Sequence, residues 1–149
     1  MSIFLGCLLL QYLTISLANS PWWTPDFLIL GIVLALAKST KHWIIFSVFM
    51  ASVTLLWAVR LFVLLAASSV TLGALIAWAV SRWNFSDRRV LTVVIVLAVT
   101  LMNGLMIWVE DLWSWRMLFL LGARVLLTLL CFFCIYPLWK RSTGVSLYG

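Results

Sequence analysis

The stretch TPDFLILGIVLALA, Thr24 to Ala37, places one of the chain's four acidic residues directly before an uninterrupted apolar run. Its order predicts a helix start, with Thr24 as the N-cap, Pro25 at the first helical position and Asp26 in the first turn. A carboxylate there faces the positive end of the helix dipole, an interaction worth about 0.3–1 kcal/mol. The apolar part is short, since a helix that crosses a bilayer alone needs about 20 residues. We therefore expect this helix to lie among other helices or to span a thinned region of membrane.

The composition of the whole chain indicates a membrane protein. Of its 149 residues, 66% are hydrophobic and 9% are charged, and the mean hydropathy is +1.19. Soluble domains carry about 25% charged residues. The sequence predicts an all-α integral membrane protein with a single domain, residues 1–149, folded as a compact bundle of about six transmembrane helices. The predicted spans are 3–19, 25–38, 43–59, 61–81, 90–109 and 117–138.

The charged residues between these spans predict the orientation of the bundle. With the N-terminus in the cytoplasm, the inner segments hold seven basic residues and one acid, and the outer segments hold three basic and three acidic residues. The inner side therefore carries the whole net charge of +6. Because basic residues collect on the cytoplasmic side of membrane proteins, we predict six spans with both termini cytoplasmic. The inner basic residues would also contact membrane lipids with anionic headgroups.

Several motifs follow one another in an order that resembles a known family. A short first span precedes a Trp-containing turn and TPDFLILGIVLALA; TLGALIAWAV follows at 71–80, and RVLLTLLCFFCIYPLWKR at 124–141 ends in an aromatic-Pro-hydrophobic-basic tail. This layout, which covers nearly the whole chain, resembles the MreD family, the small membrane subunit of the bacterial rod-shape (elongation) system. In one respect the chain departs from the family, whose third span usually carries a Gly-rich stretch ending in Asp. The corresponding FMASVTLLWAVRLF, 49–62, has neither, so the role of that Asp is absent here or supplied by other residues.

The resemblance implies a function without catalysis. It predicts a scaffold subunit of the peptidoglycan elongation machinery, in the bacterial inner (cytoplasmic) membrane, that helps to maintain cell shape. The implied partner is MreC, a one-span periplasmic protein, with indirect links to the MreB filament and to the glycan polymerase–transpeptidase pair. A chain with almost no soluble mass suits such a role, because it can act only by holding helices and lipids in place.

An alternative function belongs to a different class. Substrate-binding components of energy-coupling-factor importers, which take up vitamins or metals, are also small six-span bundles, and MreD is similar to them in architecture. Such a protein needs a polar pocket near the outer face, which Asn103, Arg124 and the nearby Trp residues could supply. A co-purified vitamin would favour the importer, whereas co-purified MreC would favour the scaffold.

The polar and thiol side chains do not form a convincing catalytic or metal-binding set. His42, the sole histidine, lies in the basic turn KSTKH, and the adjacent Glu110 and Asp111 point in different directions on a helix. Cys131 and Cys134 lie inside the apolar LLCFFCIY, and three Cys with one His are too few for the usual four-ligand zinc site. We predict no enzymatic activity, no cofactor and no metal site. Without a patterned basic and aromatic surface, we also expect no nucleic-acid partner.

Two polar side chains inside the predicted spans carry more information. Asn103 and Arg124 each lie about 10 Å from the outer ends of their helices. A charge at that depth is costly and normally faces the bundle interior with a partner, or reaches outward to water. The candidate partners of Arg124 are Asp26, Asn103, Glu110 and Asp111. Arg124 and its partner either fix helix packing or line a functional cavity. Arg60, at the break between the third and fourth spans, is a further polar residue that could serve in such a pair or cavity.

Two groups of residues are candidates for partner binding. The first, Trp22, Trp23, Pro25 and Asp26, lies at the outer start of the short second span, where aromatic anchors are favoured in membranes and at binding hot spots. The alternative is a helix cap with an aromatic anchor and no partner. The second group, Ser69, Gly73 and Ala77, is a ladder of small residues that lets helix backbones approach closely. It serves either internal packing or the docking of a partner's membrane helix.

Overall fold

The computed structural model is all-helical, as predicted, and describes residues 2–18, 23–38, 43–57, 62–83, 87–109 and 111–143. Each predicted span corresponds to one helix. The six helices in these described ranges are α1 (Ser2–Ala18), α2 (Phe27–Lys38), α3 (Trp43–Trp57), α4 (Phe62–Arg82), α5 (Arg88–Val109) and α6 (Trp115–Thr143). Helix α3 ends at Trp57 and α4 begins at Phe62, and the break expected near Arg60 lies outside the described residues.

The last helix extends beyond the predicted membrane span. The sequence indicated an end at 138, but α6 continues through Pro137 to Thr143 and carries Lys140 and Arg141 in its last turn. A proline inside a helix removes one backbone hydrogen bond and crowds the carbonyl four residues before it, which can kink a helix without ending it. Cationic side chains near the C-terminus interact favourably with the helix dipole. The span predicted from apolar residues is shorter than α6 because the last turns of this helix are polar.

The short helix α2 lies at the centre of the bundle. Its 12 residues pack against each of the other five helices, and almost all of its side chains are buried. This confirms the expectation that so short an apolar helix lies among others. The helices α3 and α4 form one antiparallel pair beside it, α5 and α6 form another, and α1 packs chiefly on α2.

Only some of the helices are long and apolar enough to cross a bilayer unaided. Within the described residues, two pass this test, Arg88–Val109 and Trp115–Arg141. Shorter apolar segments are Leu5–Leu17, Phe27–Lys38 and Ala66–Arg82. Over the residues that it describes, the structure therefore establishes a six-helix bundle with two helices long and apolar enough to cross a membrane. The location in a membrane and the number of crossings stay predictions.

Candidate functional site

The N-terminus of α2 is capped by Asp26, not by Thr24 as the sequence suggested. The helix begins at Phe27, and the Oδ1 atom of Asp26 accepts a hydrogen bond from the backbone N–H of Ile29 at 3.1 Å. The Asp26 carbonyl accepts the first helical bond, from Leu30. Asp26 therefore takes the N-cap position, and Thr24 and Pro25 precede the helix. Local preference alone does not separate these registers, because Thr and Asp both cap well.

The second carboxylate oxygen of Asp26 makes contacts with two other helices. Its Oδ2 atom lies 3.2 Å from the guanidinium of Arg124 on α6, and both side chains are at least 90% buried. The same oxygen accepts a hydrogen bond from Asn103 Nδ2 on α5 at 3.1 Å. The other amide proton of Asn103 goes to the Val99 carbonyl, at 2.9 Å. Of the four candidate partners for Arg124, the structure therefore places Asp26 against it and Asn103 beside them.

Two further side chains complete the cluster around the start of α2. Thr128 Oγ1 accepts the N–H of Asp26 at 2.8 Å and donates to the Arg124 carbonyl at 2.7 Å. Gln11 Oε1, from α1, accepts the N–H of Leu28 at 3.3 Å. We call Gln11, Asp26, Asn103, Arg124 and Thr128 the Asp26 cluster. It joins α1, α2, α5 and α6 and satisfies three backbone donors at the N-terminal end of α2 that the helix cannot satisfy itself.

The Asp26 cluster lies inside the bundle, not at its surface. Arg124 comes nine residues after the start of α6, which is about 14 Å along the axis, and Asn103 comes six residues before the end of α5, about 9 Å. The start of α2 is therefore recessed from the helix ends around it. We call the end of the bundle where α5 ends and α6 begins the Asp26 end, and the opposite one the Lys38 end.

The other end of α2 is also held by α6. Trp139 is buried, and its Nε1–H donates to the Leu34 carbonyl at 3.2 Å. The Trp139 ring stacks on Tyr136, whose ring in turn contacts Phe132. The parallel helix α6 thus contacts both ends of α2, through Arg124 and Thr128 at one and Trp139 at the other.

Sequence reasoning missed three members of these contacts: Gln11, Thr128 and Trp139. Gln11 is the one amide in an otherwise apolar stretch of α1, which is a usable signal for an interior partner. Thr128 follows Arg124 by four residues and so lies on the same face of α6. Trp139 carries no comparable signal, because the chain has ten tryptophans and several others are exposed.

Asp111 is not the partner of Arg124. It lies exposed in the turn after α5 with a φ of 55°, and the turn is closed by the N–H of Asp111 to the Trp108 carbonyl and that of Leu112 to the Ile107 carbonyl. This is the left-handed cap that commonly ends helices. Asp111 thus terminates α5 in an exposed turn, while Glu110 lies outside the described residues.

The ladder of small residues on α4 is largely covered by neighbouring helices. Ser69 is fully buried, with its hydroxyl 4.0 Å from the Met102 sulfur of α5. Gly73 lies so close to α3 that a Cβ atom placed on it would overlap the side chain of Ser47. Ala77 is half-buried. The geometry matches the internal-packing interpretation, and a partner helix could not reach Ser69 or Gly73 without displacing α3 or α5.

The remaining candidates surround the entry to α2. Trp23 is half-exposed and Pro25 is half-buried, whereas Asp26 is only 5% exposed. Trp22 lies outside the described residues. The buried position of Asp26 is incompatible with a direct contact to another protein. Any partner surface here would therefore be formed by the tryptophans that precede Asp26 in the sequence.

The described polar side chains inside the bundle include the Arg124–Asp26 ion pair. The described residues contain no group of three or more His, Cys, Asp or Glu side chains that could hold a metal ion. The cysteines Cys7, Cys131 and Cys134 are free thiols. The Asp26 carboxylate already accepts from Ile29, Asn103 and Arg124, so both of its oxygens are engaged inside the bundle. In comparisons with protein-family models, curated proteins and solved structures, no match to the chain was found.

Proposed function

We propose that the chain is a non-enzymatic membrane scaffold of the bacterial cell-wall elongation machinery, similar to the MreD family. The observation that carries this proposal is the Asp26 cluster, whose interior polar side chains contact one another and the start of α2. A cluster of this kind fixes the relative positions of four helices. The resemblance of TPDFLILGIVLALA and of the 124–141 tail to that family supplies the identity of the machinery.

The same observation favours the scaffold over an importer. A ligand-binding component would direct Asn103 and Arg124 toward a cavity, but both side chains bond to Asp26 Oδ2. A vitamin would have to displace Asp26 from Arg124, leaving a buried charge without its counter-ion.

The surface of the bundle supports insertion in the inner membrane. Exposed Leu, Val and Ile side chains occur on all six helices apart from the central α2. Exposed tryptophans mark both ends: Trp23, Trp108, Trp113 and Trp115 at the Asp26 end, and Trp78 and Trp83 near the Lys38 end. Two aromatic belts flanking an apolar zone are typical of a membrane protein. The two long helices would span it directly, and the shorter ones would do so with the turns between them.

The proposed topology can be tested by labelling. In a chain whose three native cysteines are replaced, we expect a cysteine at Ser114 to react with an impermeant maleimide in intact spheroplasts. A cysteine at Ser86 should react only after permeabilisation, because the basic Lys38 end is cytoplasmic. Labelling of the Ser86 position from outside would contradict this orientation.

The proposed partner is an MreC-like protein with one membrane helix and a periplasmic domain, which would link the chain indirectly to the MreB filament and to the glycan polymerase–transpeptidase pair. We expect the double variant Trp22→Ala, Trp23→Ala to lose most of this partner on co-purification in mild detergent. The physical reason is that aromatic anchors contribute about 2 kcal/mol or more at binding hot spots, a factor of roughly 30 in affinity.

A matched control uses two other exposed tryptophans at the same end. The variant Trp113→Ala, Trp115→Ala removes comparable aromatic area from the α5–α6 turn and the first residue of α6. It should retain the partner if recognition is local to the entry of α2. Equal binding by both variants and the parent chain, at equal expression, would remove the tryptophan pair from the interface. Absence of any MreC-like protein from the parent's co-purified material would contradict the proposed function itself.

A further inference from the structure

An arginine at the Lys38 end is held over aromatic rings. The Arg88 guanidinium, in the first turn of α5, lies 4.3 Å from the centroid of the Phe133 ring and 5.9 Å from that of Tyr136, both on α6. Contacts of this kind attract a cation to the face of an aromatic ring. Arg88 is nevertheless exposed to the surroundings. The rings therefore orient the guanidinium without covering it.

Other cations surround this position. Lys140 lies one turn beyond Tyr136 on the same side of α6. The Lys38 end carries Lys38, Arg82, Arg88, Arg89, Lys140 and Arg141 among the described residues. The one described acid there, Asp87, accepts the Arg89 N–H at 2.9 Å and caps α5. This end therefore presents an excess of positive charge with one arginine fixed in place.

An exposed apolar strip on α6 begins next to the basic residues of the Lys38 end. Along α6, Phe133, Leu130 and Leu126 follow one another at helical spacing and are all exposed. A cation at the end of the helix and a hydrocarbon surface leading away from it match the two parts of a phospholipid. An acidic peptide or a nucleic acid would use the charges but would leave the strip without a function.

We propose that Arg88, Phe133, Tyr136 and Lys140 form a binding site for an anionic phospholipid. The phosphate of the headgroup lies against the Arg88 guanidinium, and an acyl chain follows Phe133, Leu130 and Leu126 along α6. Arginine suits this role because its planar guanidinium can stack on a ring and still donate to phosphate oxygens. The site rests on the membrane insertion proposed above, but not on the MreC-like partner.

Native mass spectrometry of the full chain in mild detergent tests the site. The chain is titrated with phosphatidylglycerol or with phosphatidylcholine, and the dissociation constant of the first bound lipid is measured for each. We expect tighter binding of phosphatidylglycerol, and a loss of about five-fold in Arg88→Gln, from roughly 1 kcal/mol per cation near an anionic lipid. Phosphatidylcholine binding should stay within two-fold. Phe133→Leu keeps every charge but removes the ring, and it should weaken phosphatidylglycerol binding as well.

Arg89→Gln and Arg116→Gln are the matched controls. Arg89 is the next residue on a different side of α5, and Arg116 is an exposed arginine at the opposite end. Both variants should bind phosphatidylglycerol within two-fold of the parent chain. Equal losses in Arg88→Gln and Arg89→Gln, or full binding by Phe133→Leu, would show diffuse attraction and overturn the site. Displacement of the lipid by millimolar inorganic phosphate would instead assign the position to a free anion.

The failure of this site can be told apart from failure of the proposed function. Carbonate extraction of native membranes reports whether the chain is embedded at all. A chain that is released by carbonate contradicts the membrane scaffold. A chain that is retained, with lipid binding that does not depend on Arg88, contradicts the lipid site alone.

Discussion

Replacing Asp26 by asparagine is expected to destabilise the bundle by about 3–5 kcal/mol, the cost typical of breaking a buried ion pair from one side. Asparagine can still cap α2 through its side-chain oxygen, but it leaves Arg124 charged and at least 90% buried without its counter-ion. The cap-only interpretation of the sequence predicts a loss of about 1 kcal/mol or less. Unfolding in detergent with increasing dodecyl sulfate, followed by circular dichroism, measures the difference.

Two further variants separate the ion pair from the cap. Asp87→Asn removes the charge of an exposed N-cap aspartate on α5, whose carboxylate accepts the Arg89 N–H, and should cost about 1 kcal/mol or less. The double variant Asp26→Asn, Arg124→Gln removes both buried charges and should recover most of the stability lost in Asp26→Asn, because no charge is left unpaired. A loss in Asp26→Asn no larger than in Asp87→Asn would contradict a structural role for the pair.

The sequence predicted the local part of this site and left the distant part open. Thr24, Pro25 and Asp26 signal a helix start through chemistry within one turn, and that start is found within two residues of the predicted boundary. The partner of Arg124 could not be predicted from local sequence. Asp26 and Thr128, which lies on α6 with Arg124, are 102 residues apart, and only the packing of α6 along α2 brings them together. The cost of burying the Arg124 charge predicted that this side chain has a partner. It did not indicate whether the partner is Asp26, Asn103, Glu110 or Asp111.

The length of α2 explains why its N-terminus is inside the bundle. Its 12 residues extend about 18 Å, whereas α6 extends about 43 Å beside it. With Trp139 holding the Leu34 carbonyl near one end, the other end of α2 stops at the level of Arg124 and Thr128. A helix start at that depth must have its N–H groups satisfied by side chains. The short length of α2, which is visible in the sequence, therefore accounts for the polar residues of α1, α5 and α6 that surround its N-terminus.

The ladder on α4 leads to a second large expected effect. Gly73→Ala should destabilise the bundle by about 1–3 kcal/mol, the usual cost of overpacking. A Cβ atom at Gly73 would lie 2.8 Å from the Cβ of Ser47, which is fixed to the α3 backbone and cannot rotate away, and would also overlap the Ser47 hydroxyl. Helix α3 would have to move away from α4. The same detergent unfolding assay measures the loss.

Gly122→Ala on α6 is the matched control, since a Cβ atom there meets nothing within 4 Å. Alanine is the better helix former by about 0.5–1 kcal/mol, so this variant should be as stable as the parent chain or more so. Ser47→Gly removes the side chain that a Cβ at residue 73 would meet, so Gly73→Ala, Ser47→Gly should be more stable than Gly73→Ala alone. If a partner's helix, and not α3, were the natural neighbour of Gly73, Gly73→Ala would leave the isolated chain stable and lower only the recovery of that partner. That outcome would favour the interpretation that the ladder on α4 docks a partner's membrane helix.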